Sequence, residues 1–196
     1  FKLPAEENEE NATLSDAAEN TATTVAGYQY YEPENGKRVT GWRTIEGVEG
    51  ISAEGELYNF YVKNGKPYHA DNGLQLFTVE SKKYAFNTKG EMQTGLKVVN
   101  LEDGEIANFY FAEDGVMRTG KQVLYNDDLD ENQTWFFYTD GSRKGQGFHG
   151  IRDNTLYEYG LRKDATHDLR LAPMNYDGNQ YLVKPSGSNQ KAHTYP

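Results

Sequence analysis

The sequence predicts an all-β chain, a solenoid of stacked β-hairpin repeats entered by a disordered or partly helical N-terminal segment. Three observations predict it. An aromatic-rich strand runs into a turn seven times, as in Tyr84-Ala-Phe-Asn-Thr-Lys-Gly90 and Phe109-Tyr-Phe-Ala-Glu-Asp-Gly115. The turn positions fall at Gly36, Gly65, Gly90, Gly115, Gly141, Lys163 and Gly187, with steps of 29, 25, 25, 26, 22 and 24 residues. Self-similarity at ~20–50 residues marks a stacked array rather than one globular core. Finally, 15 Tyr, 9 Phe and 2 Trp make rings the main core material, each burying ~150–250 Å².

Residues 1–27 read as an acidic linker. Glu6, Glu7, Glu9, Glu10, Asp16 and Glu19 sit among Ala, Asn, Ser and Thr, with Lys2 the only base. Such a segment buries too little surface to offset its chain entropy, so disorder is expected. Leu14, Ala17 and Ala18 carry helical spacing, which supports a short helix as the lesser outcome. Residues 28–196 then form an array of about seven units.

Within a unit, residues two apart on a strand share a face. The sixth residues before the turn are Tyr30, Asn59, Tyr84, Phe109, Trp135, Tyr157 and Tyr181; the fourth are Glu32, Tyr61, Phe86, Phe111, Phe137, Tyr159 and Val183. These two columns form the apolar stripe. The column between them (Tyr31, Phe60, Ala85, Tyr110, Phe136, Glu158, Leu182) faces the other way and is more mixed, so it reads as the more exposed one. Asp-Gly and Asn-Gly turns accept the positive φ of a tight hairpin. Five residues later comes a second small residue (Gly41, Ala70, Gly95, Gly120, Ala192), then a short strand such as Leu96-Lys-Val-Val99. A lone hairpin cannot bury its own stripe, so neighbours must cover it.

Composition narrows the function. A net charge of −10 argues against nucleic acid and anionic lipid, which need basic patches. There is no Cys, which excludes disulfides, thiol nucleophiles and Cys-ligated zinc. No run of ~18 apolar residues occurs, so no membrane insertion is expected. Because the chain begins at Phe1 rather than Met, a processed form or excised fragment is expected, with any signal peptide upstream.

Asn35-Gly36-Lys-Arg-Val-Thr-Gly41-Trp42, Gly90-Glu-Met-Gln-Thr-Gly95 and Phe109-Tyr-Phe-Ala-Glu-Asp-Gly115-Val-Met-Arg-Thr-Gly120 resemble the cell-wall-binding repeats of secreted bacterial proteins. Such repeats occur in choline-binding surface proteins, in glucan-binding regions of glucansucrases, and in receptor-binding regions of glucosylating toxins. The resemblance covers roughly residues 28–192, strongest in the third and fourth units. It implies a solenoid that is extracellular in Gram-positive bacteria and binds wall polymers or saccharides between successive hairpins. The choline-binding subgroup pairs a Trp after the second glycine with another opening the next strand. Here the first of those positions reads Trp42, Asp71, Leu96, Lys121, Gly147, Leu169 and His193, so only Trp42 fits. A quaternary ammonium needs several ring faces, each worth ~0.5–2 kcal/mol. Choline therefore has room at one site only, a cage of Trp42 with Tyr58 and Tyr84.

Phe86, Phe111, Phe137 and Trp135 lie in the stripe and read as core. Tyr31, Tyr110 and Phe136 lie outside it and, with Trp42, are the other candidate saccharide-stacking rings. The histidines His69, His149, His167 and His193 are dispersed, without HExxH or His-x-His spacing, so no metal site is expected. Asp128, Asp130 and Asn132 match positions 1, 3 and 5 of a calcium loop, but Gln133 replaces its Gly and Thr139 its Glu. No cofactor motif or GxSxG nucleophile is present, and the acids fall in turns and linker. The expected role is a non-catalytic module binding a cell-wall polymer or other polysaccharide through several weak grooves. The alternatives are a spacer, an adhesin toward a host protein, or the targeting region of a larger secreted enzyme. An uncapped last hairpin leaves room for a homodimer formed end to end.

Overall fold

In the computed structural model, residues 24–46, 52–53, 55–165, 170–187 and 189–191 are described. Most of the expected linker lies outside them, as do the repeat positions at His167, Leu169, Ala192 and His193. The described residues fall into two compact units. One lies within Phe1–Gly95, Val99–Ile106 and Phe111–Val116; the other comprises Leu96–Val98, Ala107–Tyr110 and Met117–Pro196.

All sixteen regular elements among the described residues are β-strands, and every registered pairing is antiparallel. β1 (Gly41–Glu46), β2 (Leu57–Lys63) and β3 (Lys66–Pro67) make one sheet; β4 (Leu74–Val79) and β5 (Lys82–Asn87) form a two-stranded ribbon. A third sheet holds β6 (Gly95–Asn100), β7 (Ile106–Phe111) and β8 (Met117–Arg118). β9 (Gly120–Asn126), β10 (Glu131–Phe137), β11 (Gly150–Arg152), β12 (Thr155–Glu158) and β13 (Leu161–Arg162) join in the order β11-β12-β13-β10-β9. The last sheet contains β14 (Ala172–Tyr176), β15 (Asn179–Val183) and β16 (Asn189–Lys191).

The stripe is the core. Phe86, Phe109, Phe111 and Phe137 are fully buried, and Trp135 stacks on Phe137 at 6.2 Å and 8°. The intervening column departs from its reading as the exposed one. Phe60 and Ala85 are both 0% exposed, and Phe136 is 9%. These strands are covered on both faces because backbone hydrogen bonds tie each hairpin to another. Met92 N–H donates to Asn59 O at 2.8 Å, Ala70 N–H to Asn87 O at 3.0 Å, and Val25 N–H to Thr88 O at 3.1 Å. Val25, two residues inside the expected linker boundary, is itself fully buried. Packed structure therefore begins by that residue.

Several turn glycines share a packing relation. Gly65 and Gly115 sit at φ +81° and +75°, and a methyl group there would come within 3.2 Å of Arg38 Cγ and 2.6 Å of Met92 Cε. At these two turns the residue two places after one turn glycine lies against the next, whereas Gly90 meets Val25, Tyr68 O and Phe60 instead. The relation corrects the count in the later units. Met117 packs on Gly145 rather than Gly141, and Arg162 packs on Gly187. Arg162 stands two places after Gly160, where Tyr159 (φ +48°) and Gly160 (φ +103°) make the sixth turn. Lys163 is therefore not the turn residue. Steps of 30, 15 and 27 residues replace 26, 22 and 24, and Tyr159 leaves the stripe for an exposed turn.

Candidate ligand cleft

β1 and β2 pair in a register that places Trp42 opposite Tyr61 and Arg43 opposite Phe60. Trp42 therefore shares a face with Tyr61 and Asn59, while Phe60 and Val62 are buried on the other. Trp42 meets Tyr61 at 5.3 Å and Tyr84 at 4.8 Å, both edge-on, and stacks on Phe86 at 6.1 Å. Val79, Tyr84 and Phe86 form a buried cluster with Tyr68, Phe77 and Met92 packed against it. Ring pairs of this kind each add ~0.5–1.5 kcal/mol beyond burial, so Trp42 is held by rings beneath it.

Above this cluster opens a cleft of about 270 Å³ lined by Trp42, Asn59, Tyr84, Met92, Glu113 and Asp114. It is smaller than the ~300–1,000 Å³ of a drug-sized pocket, a size suited to a head group. Trp42 and the largely buried Tyr84 line it with ring surface, Met92 adds a polarizable thioether, and the two acids add negative charge. Asp114 Oδ1 accepts Val116 N–H at 3.0 Å, which fixes the carboxylate within its turn. Met92 is positioned by its backbone bond to Asn59 and by contact with Gly115. The arrangement can hold a cation against rings while leaving its remaining substituents in solvent.

The other expected residues are dispersed. Strand alternation puts Tyr58, next to Asn59, on the face of β2 opposite the cleft, with its hydroxyl donating to Glu56 Oε2 at 2.8 Å. That carboxylate raises the Tyr58 phenol above its usual range. Tyr31 is a partly exposed ring whose hydroxyl bonds Gln29. Tyr110 is half-buried and stacks on Phe137 at 6.5 Å. Phe136 is a core ring rather than a surface one: Phe148 and Tyr157 each lie 5.7 Å away, and the Arg152 guanidinium sits 4.5 Å over it. Asp130 of the calcium-like loop takes the Tyr125 hydroxyl, and Asn126 Oδ1 accepts the N–H groups of Asp128 and Leu129. Sequence reading missed Met92, Glu113 and Asp114. The signal was present, since Met-x-Thr-Gly and Glu-Asp-Gly are parts of the repeat itself.

No protein-family model matches the sequence, and no curated protein sequence matches it. Among solved structures, the chain is similar to choline binding protein F of Streptococcus pneumoniae in complex with ipratropium, at 20% identity and a TM-score of 0.49, covering 83% of this chain and 49% of that one. It is similar to the pneumococcal cell wall endolysin of phage Cp-1 complexed with choline, at 15% identity and a TM-score of 0.36, covering 93% and 41%. It is also similar to truncated alternansucrase from Leuconostoc mesenteroides, at 15% identity and a TM-score of 0.34, covering 84% and 17%. The chain spans about half the length of the first of these and less of the others.

Proposed function

We propose that this chain is a non-catalytic binding module, anchoring to a cell-wall polymer or other polysaccharide at the outside of a cell, with a quaternary-ammonium substituent seated in the Trp42–Tyr84 cleft. The observation that carries the reading is the meeting of Trp42, Tyr84 and Met92 with the carboxylates of Glu113 and Asp114 around one small opening. Two rings, a thioether and two acids supply the cation–π and Coulomb terms that such a head group needs. Binding rather than catalysis is favoured because turn acids are spent on the turns: Asp103 and Asp114 each accept a main-chain N–H two residues on.

A single cleft of this kind binds weakly, and residence on a repetitive polymer comes from several contacts at once. The solenoid arrangement, secretion and attachment to a Gram-positive surface belong to this reading, as does service as the targeting region of a larger enzyme. A second reading, an adhesin for a protein, draws on exposed Leu96, Val98, Val123 and Tyr125. Retention on purified pneumococcal-type cell walls, with elution by choline, supports the first reading. Loss of that retention in Trp42→Ala ties it to the cleft. No retention of the wild type on walls, peptidoglycan or α-glucan would favour the adhesin.

A further inference from the structure

Tyr159 is the only aromatic among the described non-glycine residues at positive φ; the others are Asn, Asp, Glu and Ser. A bulky side chain is disfavoured in that conformation, and its surroundings hold it there. Asn108 Nδ2 donates to Tyr159 O at 2.8 Å, and Gly147 packs so tightly that a methyl group on it would come within 2.6 Å of Tyr159 C. The result is a tyrosine 63% exposed at the turn after β12.

Its ring does not stand alone. His149 stacks on Tyr159 at 4.6 Å and 26°, and Tyr176 meets His149 at 5.3 Å and 57°. Tyr159 thus forms the exposed outer ring of a three-ring cluster, at a place where the repeat pattern would have buried a stripe residue. The flanking Glu158 carboxylate is engaged by Lys163 Nζ at 2.8 Å, so the platform, unlike the first cleft, is not lined by a pair of acids. The acidic chain disfavours a nucleobase, which stacks on aromatics but also needs a basic groove.

We propose that Tyr159, His149 and Tyr176 form a stacking platform for a pyranose ring of a neutral polysaccharide. The C–H face of the sugar lies on the face of the Tyr159 ring that His149 leaves open, and His149 and Tyr176 support that ring from behind. This assignment rests on the proposed binding role but uses none of the residues of the Trp42–Tyr84 cleft.

The test is native affinity electrophoresis of the full chain in gels containing dextran or glycol chitin, against gels without polymer. Retardation by at least one polymer is expected. Tyr159→Asn removes the ring but accepts the left-handed backbone. It should weaken retardation about tenfold, the upper worth of one ring contact, with a thermal midpoint unchanged or higher. Leu57→Asn, at an exposed residue outside the platform, should be retarded like the wild type. In parallel, amide chemical shifts of the wild type titrated with isomaltotriose and chitotriose should move in residues 147–160 and 176. Absence of retardation in both polymers, undiminished retardation of Tyr159→Asn, or shift changes confined to other residues would each overturn the platform. Absence of choline binding by the wild type, with retained polymer binding, would sink the cleft alone.

Discussion

Gly115→Ala isolates the contact on which the hairpin spacing depends. Gly115 sits at φ +75°, and a methyl group there would reach 2.6 Å from Met92 Cε and closer still to Sδ. Two costs follow. The left-handed backbone with a Cβ costs ~1–2 kcal/mol. Displacing Met92, wedged between the cleft and the turn, is an overpacking cost of ~1–3 kcal/mol. The total is about 2–5 kcal/mol. Gly36→Ala is the control in the same unit: φ is +67°, but nothing lies within 4 Å of the added methyl, so only the backbone cost of ~1–2 kcal/mol applies. The assay is urea unfolding followed by far-UV circular dichroism, with Met92→Ala and the Met92→Ala/Gly115→Ala pair completing a double-mutant cycle. The double variant should recover the steric part, giving a favourable coupling of ~1–3 kcal/mol. Equal effects of Gly115→Ala and Gly36→Ala, or zero coupling with Met92, would refute the packing relation.

Phe60→Ala should cost about 3–5 kcal/mol, the range for a fully buried ring, although sequence alternation reads it as lying on the more exposed face; a urea midpoint close to wild type would contradict burial of both strand faces. Lys163→Gln tests the Glu158 pair. The hydrogen bond from Lys163 outweighs burial and holds the Glu158 carboxyl below its ordinary value of 4.5, so the stabilisation is present above that pH and is lost as pH falls through the lower folded value. At neutral pH the variant should therefore be less stable by no more than ~1 kcal/mol, since both groups are partly exposed. The difference from wild type should vanish in acid unfolding measurements below that value, and a difference that grows toward acid would reverse the assignment.

The repeat, the strand phase and most turns were legible because each rests on local chemistry: glycines at positive φ and rings two residues apart. Phe86, Phe111 and Phe137 are buried as the alternation requires. What the sequence did not disclose is what covers the reverse face. Whether Phe60 meets solvent depends on another hairpin lying over it, and no residue of its own strand encodes that. The sixth turn misled for a related reason. Counting from Gly141 favours Lys163, whereas the chain turns at Tyr159-Gly160 because Asn108 and Gly147 secure Tyr159 there. At the cleft, Trp42 and Tyr84 were visible as rings in the right phase. Tyr58 belonged to the expected cage by proximity in the repeat, but one residue of strand register carries it to the opposite face.

The most direct measurement is the fluorescence of Trp42 in a Trp135→Phe background, titrated with choline and separately with 3,3-dimethylbutanol, its uncharged isostere. A cleft built from rings and two acids predicts a saturable change with choline and binding of the alcohol weaker by about tenfold or more, the charge contributing ~1–2 kcal/mol. Equal response to the two compounds, or no saturable response to choline, would contradict it.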